Sequence, residues 1–396
     1  MTHVSAHPRT FGVFGGGQLG MFSVLAAREL GLRTAVYDVN PRCAAARLCD
    51  ELIVGDFNDI DRAVQFAKGC DAVSIDRDDI PSAVLEACAQ HTAVSPAPAA
   101  LQIVQDRLAQ RSWLAQHGFP AAPFRAVHDR AEAKAAFEAL GPKVILKRPR
   151  GGFDGRGQAR VQSLEQALQA VDELGVPLIM ERQVTLDREL SVLVASRKSG
   201  QRVVYPAALN HHEEGVLAWS VMPAPVAPEL LRRAERLALE VAEGLHTTGL
   251  VAVELFVCED ELLVNEVALR PHNSFHATQR GTHTSQFEQH VRAVCDLPLG
   301  STAVLAPTAI ANVLGRAWPA GLPDLQGVLS TQGVRMHWYG KSPPKVGRKL
   351  GHLSASCASA ELAVQRVLEA LAALDASSHA HPSLNDSDLG KPNHGA

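Results

Sequence analysis

From residue 11 to about residue 100, short apolar runs alternate with stretches whose apolar residues recur every three or four positions. Residues 11–14, 34–37 and 72–75 read as strands, and 19–30, 60–67 and 82–90 as helices. Such alternation predicts a parallel, doubly wound α/β sheet. Pro96 and Pro98 break the series, and a helix is expected over 99–116. Residues 122–185 change pattern: strands at 144–147, 158–161 and 178–181 with a helix at 164–174 predict a small α+β unit. Strands at 190–195, 203–208 and 216–221, then a pair at 251–257 and 262–267, predict a mostly antiparallel sheet. A long amphipathic helix, 228–245, lies among them, with Gly249 beyond its end. A smaller unit from about 303 ends in a helix at 360–374. The expected divisions are 1–103, 104–185, 186–302 and 303–375, with 376–396 a polar tail expected to be disordered.

With 396 residues the chain is too long for one ordinary core, which agrees with several units. Hydrophobic residues make up 46% and charged residues 20%, as in soluble globular proteins. A net charge of −4 gives no reason to invoke nucleic acid or a membrane surface as partner. No stretch reads as a membrane-spanning helix, and Met1-Thr-His-Val-Ser5 lacks a signal-peptide core, so a cytoplasmic location is expected. The seven cysteines are scattered, without a Cys-x-x-Cys pair, which fits reduced thiols rather than a zinc site.

The chemistry concentrates in a few segments. The runs 251–257 and 262–267 flank a short polar turn, a hairpin pattern in which residue numbers summing to about 520 lie opposite. Glu254 then faces Glu266, with side chains roughly 5 Å apart if they share a face. Facing carboxylates repel unless a cation lies between them, and magnesium takes carboxylate and phosphate oxygens together. The alternative is two solvated carboxylates on an open sheet face.

Gly15-Gly-Gly17-Gln18-Leu-Gly20 follows a strand and opens a helix, and Asp38 closes the next strand. This matches the dinucleotide fingerprint, although any phosphate can use such a loop. The segment from Lys147 to Gln158 holds four glycines within seven residues beside several basic side chains. Its amides and Lys147 could close over phosphates, but a strand follows where a Walker loop would lead into a helix. An ordinary mobile hairpin is the competing reading. Glu181-Arg-Gln-Val184 ends a strand and could offer backbone groups to an adenine edge, with Glu189 near ribose hydroxyls. Arg270-Pro-His-Asn-Ser-Phe-His276 leaves the second glutamate strand directly, and Pro271 argues against a helical zinc pair at His272 and His276. A basic, glycine-containing loop, 337–352, is either a phosphate site or a solvated turn.

Together these segments resemble the ATP-grasp enzymes. More closely they resemble the 5-(carboxyamino)imidazole ribonucleotide synthetases, the ATPase subunits of phosphoribosylaminoimidazole carboxylase. The similarity covers about residues 10–375. It is carried by Gly15–Gly20, Gly151–Gln158, Asn265-Glu266 through Asn273-Ser274, Ser285-Gln-Phe-Glu-Gln-His290 and Gly347-Arg-Lys-Leu-Gly-His352. The resemblance implies an ATP-grasp fold: an N-terminal doubly wound sheet, a small α+β lid and a mostly antiparallel C-terminal sheet domain. It also implies a ligase of purine biosynthesis that joins carbon to nitrogen. ATP and bicarbonate form carboxyphosphate, and the exocyclic amine of 5-aminoimidazole ribonucleotide takes the carboxylate.

By family position, Glu254 and Glu266 hold two magnesium ions, with manganese as a substitute. Lys147 and Arg107 contact ATP phosphates, and Gly152, Phe153, Asp154, Gly155, Gly157 and Gln158 close over them. Glu181, Val184 and Glu189 hold adenine and ribose. Gln18, Asp76, Asp154, His212 and Ser274 contact the acceptor, with Lys345 and Arg348 on its 5′-phosphate. Arg270 and Asn273 hold bicarbonate or carboxyphosphate, and with Lys147 are the expected catalytic residues. The resemblance further implies a homodimer.

The sequence departs from the family at several positions. Ser74-Ile-Asp76-Arg77-Asp78 stands where Thr-x-Glu-x-Glu is usual, so each carboxyl is one methylene short. Met21 replaces a frequent arginine, Leu269 a usual proline and Phe275 a usual glycine. A ring at 275 is expected to narrow the acceptor pocket. The departures leave room for a paralogue acting on a different amine. Two readings outside the ligases are a dinucleotide-dependent oxidoreductase, which leaves the glutamate pair and the Lys147 loop without a task, and a non-catalytic nucleotide sensor, which should have lost the metal pair.

Overall fold

A computed structural model describes residues 9–151, 157–315, 325–341 and 345–379, with side chains through 374. The first sheet comprises β1 Thr10–Phe14, β2 Arg33–Asp38, β3 Glu51–Val54, β4 Ala72–Ile75 and β5 Ala93–Val94. Its order is β3-β2-β1-β4-β5 and every pairing is parallel. Helices Gln18–Glu29, Ile60–Lys68 and Ser82–Ala89 connect these strands. Strand β3, not among the expected strands, is a short apolar run, Leu52-Ile53-Val54, partly exposed along its length.

The expected helix at 99–116 is two helices, Pro98–Val104 and Arg107–Gln116. Asp106 breaks it. Its carboxylate accepts from the amides of Leu108 and Ala109, so it caps the second helix instead of continuing the first. The second sheet holds β6 Phe124–Val127, β7 Val144–Lys147, β8 Gln158–Val161 and β9 Leu178–Arg182, ordered β6-β9-β7-β8 and antiparallel. Helices Arg130–Leu140 and Leu164–Leu174 cover it, capped by Asp129 and Ser163.

The third sheet contains β10 Arg188–Ser196, β11 Arg202–Val204, β12 Ala208–Glu213, β13 Val216–Met222, β14 Gly249–Cys258, β15 Glu261–Ala268, β16 Thr308–Leu314, β17 Val334–Trp338 and β18 Lys349–Ser356. The order is β15-β14-β10-β12-β13-β16-β18-β17, with β11 paired to β10. The expected strand 203–208 is divided between β11 and β12, because Pro206 has no N–H to continue a ladder. Strands β16, β17 and β18 join the same sheet through β13, from Trp219 opposite Ala311 to Met222 opposite Thr308. The last helix runs Ala360–His379, five residues beyond its expected end; residues 380–396 of the expected tail lie outside the described residues.

Alternation along β10 and β14 decides which side chains reach the site. Leu190, Val192 and Val194, with Val251, Val253 and Leu255, pack against Ala234, Ala238, Val241 and Ala242 of helix Pro228–Gly244. The intervening Glu189, Ser191 and Glu254 therefore face away from that core. Among the described residues, no helix is long and apolar enough to cross a membrane.

Candidate active site

Glu254 and Glu266 are direct partners across β14 and β15, as the hairpin register predicts. Beyond them the register slips by one, with Leu255 opposite Val264, so Asn265 is the extra residue of a bulge. The Asn265 side chain donates to Glu254 at 3.2 Å, and His272 Nε2 lies 3.3 Å from the other Glu254 oxygen. Burial pushes the Glu254 carboxyl up, but His272, His212 and Asn265 outweigh it and hold the group at about 2. Glu266 is pushed up by enclosure and by the negative charge of Glu254. Its side chain is exposed to the cavity while protein walls surround it. Two carboxylates that cannot both ionise easily fit a cation between them. Among the described residues, no cluster of three or more His, Cys, Asp or Glu could hold a metal alone. The set therefore suits magnesium, which completes its shell with water and phosphate oxygens.

The glycine turn after β1 is filled by the chain's own acids. Gly16 N donates to Asp38 Oδ2 at 2.6 Å, and Gly20 N to Asp76 Oδ2 at 3.3 Å. A Cβ at Gly15, where φ is +96°, would lie 1.7 Å from an Asp76 oxygen, and one at Gly20 would meet the Gly15 carbonyl at 2.2 Å. The glycines thus serve a close approach to Asp76. These amides already have anionic partners, which argues against a dinucleotide pyrophosphate.

Burial raises the Asp76 carboxyl to about 6, Asp38 adds to the rise, and the Gly20 and Gly17 amides oppose it. Unfolded, the group titrates near 3.8, so folding takes up a proton between those two pH values. Its cost to stability is complete above pH 6 and fades as pH falls towards 4. Asp76→Asn is expected to stabilise the fold by about 1–3 kcal/mol at pH 8 and by little at pH 4.5. Urea unfolding at the two pH values checks this; an equal gain at both would contradict it.

One cavity of about 920 Å3 gathers Gln18, Asp76, Arg107, Lys147, Glu266, Arg270 and Asn273 from all three sheets or the segments joining them. Gln18 is the junction. Its Nε2 donates to Asn273 Oδ1 at 2.7 Å, and its Oε1 accepts from Lys341 at 2.7 Å. Arg270 Nε donates to Asp78 at 2.6 Å. Gln110 uses both ends of its amide on the backbone of Val267, fixing helix Arg107–Gln116 beside Glu266. Lys147 donates to Glu181, whose other oxygen accepts from Arg111 Nε at 2.8 Å. Burial pushes the Lys147 ammonium down despite that carboxylate.

The remaining expected residues lie around this centre. Glu189 pairs with His212 on the polar face, where burial lowers the imidazole but the carboxylate prevails and raises it. Val184 is half-buried just beyond β9, Gly157 accepts from the Arg148 amide, and Gln158 sits opposite Lys147. Gly152, Phe153, Asp154 and Gly155 lie outside the described residues. Ser274 is buried, its hydroxyl 3.4 Å from Ser191. Lys345 is exposed and Arg348 half-buried; neither lines the cavity, whereas Lys349 does.

Phe275 corrects an expectation. Its ring is fully buried, 6.3 Å from Tyr205, in the core beneath β10 and β14. The short 3-10 turn Asn273–Phe275 leaves Asn273 on the cavity wall and Phe275 in that core, so the ring narrows nothing. His352, in the Gly-His signature, is likewise structural. It stacks between His276 and His337 and bonds Tyr339 through Nδ1 at 2.7 Å. Asp78 and Arg111 are partners that sequence reading missed: a salt bridge 192 residues apart leaves no spacing signal, and Arg111 looks like any helix cation.

The match to known proteins covers this whole architecture. Family models match for the ribonucleotide synthetase preATP-grasp domain over residues 9–105, the ATP-grasp domain over 112–287 and the phosphoribosylaminoimidazole carboxylase C-terminal domain over 308–366. The N5-carboxyaminoimidazole ribonucleotide synthase of Brucella melitensis is 35% identical over 351 residues, spanning 87% of this chain and 95% of that protein. The chain belongs to the N5-carboxyaminoimidazole ribonucleotide synthase family. A crystal structure of the synthetase from Thermus thermophilus matches with TM-score 0.84 and 36% identity, covering 94% of this chain and 99% of that one. The Aspergillus clavatus synthase, crystallised with ADP and 5-aminoimidazole ribonucleotide, matches with TM-score 0.86 and 30% identity over 93% and 99%. Membership accounts for the three sheets as an ATP-grasp fold with its preceding parallel sheet, and for use of ATP.

Proposed function

We propose that this protein carboxylates the exocyclic amine of 5-aminoimidazole ribonucleotide, consuming ATP and bicarbonate and releasing ADP and phosphate, in purine biosynthesis. The observation that carries the reading is Glu266 on the wall of a cavity shared with Lys147, Arg270, Asn273 and Gln18, with Glu254 directly opposite it across the hairpin. A bicarbonate oxygen attacks the γ-phosphorus, ADP leaves and carboxyphosphate remains. The amine nitrogen then attacks the carboxyl carbon, phosphate departs with its electron pair, and the nitrogen loses a proton.

Magnesium, as two ions or with manganese in its place, would be held by Glu254 and Glu266 and would neutralise charge on the transferring phosphoryl group. Lys147 and Arg107 orient the phosphates from the second sheet and its linker helix, and the glycine segment 152–158 serves the same phosphates. Glu181, Val184 and Glu189 serve adenine and ribose. Arg270 and Asn273 place the bicarbonate, and the cavity walls keep water from carboxyphosphate. Gln18 and Asp76 contact the acceptor, with His212 and Ser274 nearby and Lys345 and Arg348 towards its phosphate. A cytoplasmic homodimer is the expected form.

The test is phosphate release from ATP with magnesium and bicarbonate, with and without 5-aminoimidazole ribonucleotide. Stimulation of at least about tenfold by that nucleotide is expected. Bicarbonate-dependent turnover indifferent to it would point instead to another amine acceptor, which the shortened Asp76 and Asp78 would then explain.

A further inference from the structure

We infer that Asp78 is a positioning residue that sets the orientation of Arg270 for the anionic carboxyl donor; the donor's identity as bicarbonate rests on the function proposed above. Asp78 follows β4 of the parallel sheet, and Arg270 follows β15 of the large sheet. Both line the cavity, and the pair is the link between the two walls at this point. Asp78 is fixed from behind. Gln105 Nε2 donates to its backbone carbonyl at 2.7 Å and to that of Ile80 at 2.5 Å. Its Oδ2 takes Arg270 Nε at 2.6 Å, while Oδ1 is enclosed and has no donor among the described residues.

The guanidinium is committed along one side. Nε goes to Asp78, and one terminal nitrogen donates to the Pro271 carbonyl at 3.3 Å. The other terminal nitrogen has no protein acceptor among the described residues. A planar fork gripped at Nε presents its remaining edge in a fixed direction, which is how an arginine recognises a carboxylate or phosphate-like anion. The surroundings make that grip necessary. Asp76 and Glu266 also act on Arg270, so an ungripped guanidinium would have two other carboxylates to turn towards. With side chains 21% and 25% exposed, the pair is largely shielded from water, and the cost of desolvating both charges offsets much of their attraction. Its value lies in orientation. The methylene missing from Asp78 relative to the family's usual glutamate is thus matched to a partner on the protein, rather than to a ribose hydroxyl.

Steady-state phosphate release separates positioning from general damage. Asp78→Asn is expected to raise the KM for bicarbonate about tenfold and leave the KM for ATP within about twofold. Asp78→Glu, which keeps the charge, should recover most of the loss. An unchanged bicarbonate KM in folded Asp78→Asn, or an equal rise for ATP, overturns the assignment. If the asparagine variant does not fold, Asp78→Ser decides: a rise confined to the bicarbonate KM supports the assignment, and a rise shared with ATP or none at all defeats it. Parent protein whose bicarbonate-dependent turnover ignores 5-aminoimidazole ribonucleotide would defeat the functional reading while leaving this comparison valid.

Discussion

Glu266→Gln is expected to lower phosphate release from ATP by at least about 100-fold and, in chelator, to raise the melting temperature. The two effects have one cause. Glu254 is held ionised by His272, His212 and Asn265, so its charge always faces position 266. Glu266, enclosed and opposite that charge, has its carboxyl raised. Its cost to the fold is therefore complete above its folded pKa and shrinks as pH falls below it. The amide removes the repulsion and with it half of the cation-binding pair. The stabilisation should be larger at pH 8 than at pH 5. Calorimetry in chelator and phosphate-release assays measure the two sides. Retention of more than about a tenth of parental turnover would exclude a metal role for this residue.

The second large effect lies at Glu181. This carboxylate is buried between Arg111 and Lys147, and it is the anion of that cluster. Burial pushes it up, but the two cations hold it below the usual carboxylate range. Glu181→Gln leaves two buried cations side by side and is expected to cost about 3–5 kcal/mol in urea unfolding. Lys147→Met should cost less, because Arg111 and Glu181 remain a balanced pair. The double variant should be more stable than Glu181→Gln alone, a non-additivity of the kind coupled charges produce. Saturating ATP should raise the midpoint of Glu181→Gln more than that of the parent, since nucleotide phosphates give Lys147 another anion. Additive single effects would mean that the cluster does not act as a unit.

What could be read from the chain follows from how locally each feature is encoded. The strand pairing of Glu254 with Glu266 is local: two apolar runs and a turn set the register. The bulge at Asn265 is not, because its extra residue is decided by contacts to Glu254 and to the chain at Pro120. Ser285-Gln-Phe-Glu288 carries part of the family resemblance, and it is also a helix start, with the Glu288 amide donating to Ser285 Oγ. The glycine turn was legible as a turn, yet its occupants, Asp38 and Asp76, come from the ends of two other strands. Phe275 shows the limit of substitution logic. A ring beside functional residues says nothing of its direction until the turn that carries it is known. The strands after residue 303 were missed as part of the large sheet because pairing between β13 and β16 spans a gap that no short-range pattern records.

That pairing has a consequence for how the polypeptide can be divided. The seam between β13 and β16 is an interior one, with hydrogen-bonded neighbours on both sides. Severing the chain near 303 and discarding the rest would turn β13 into a naked border, whose unpaired amides and carbonyls invite another molecule to add its own strand. The carboxy-terminal quarter is therefore no detachable accessory: it is the selvedge that keeps this protein from stitching itself to its neighbours.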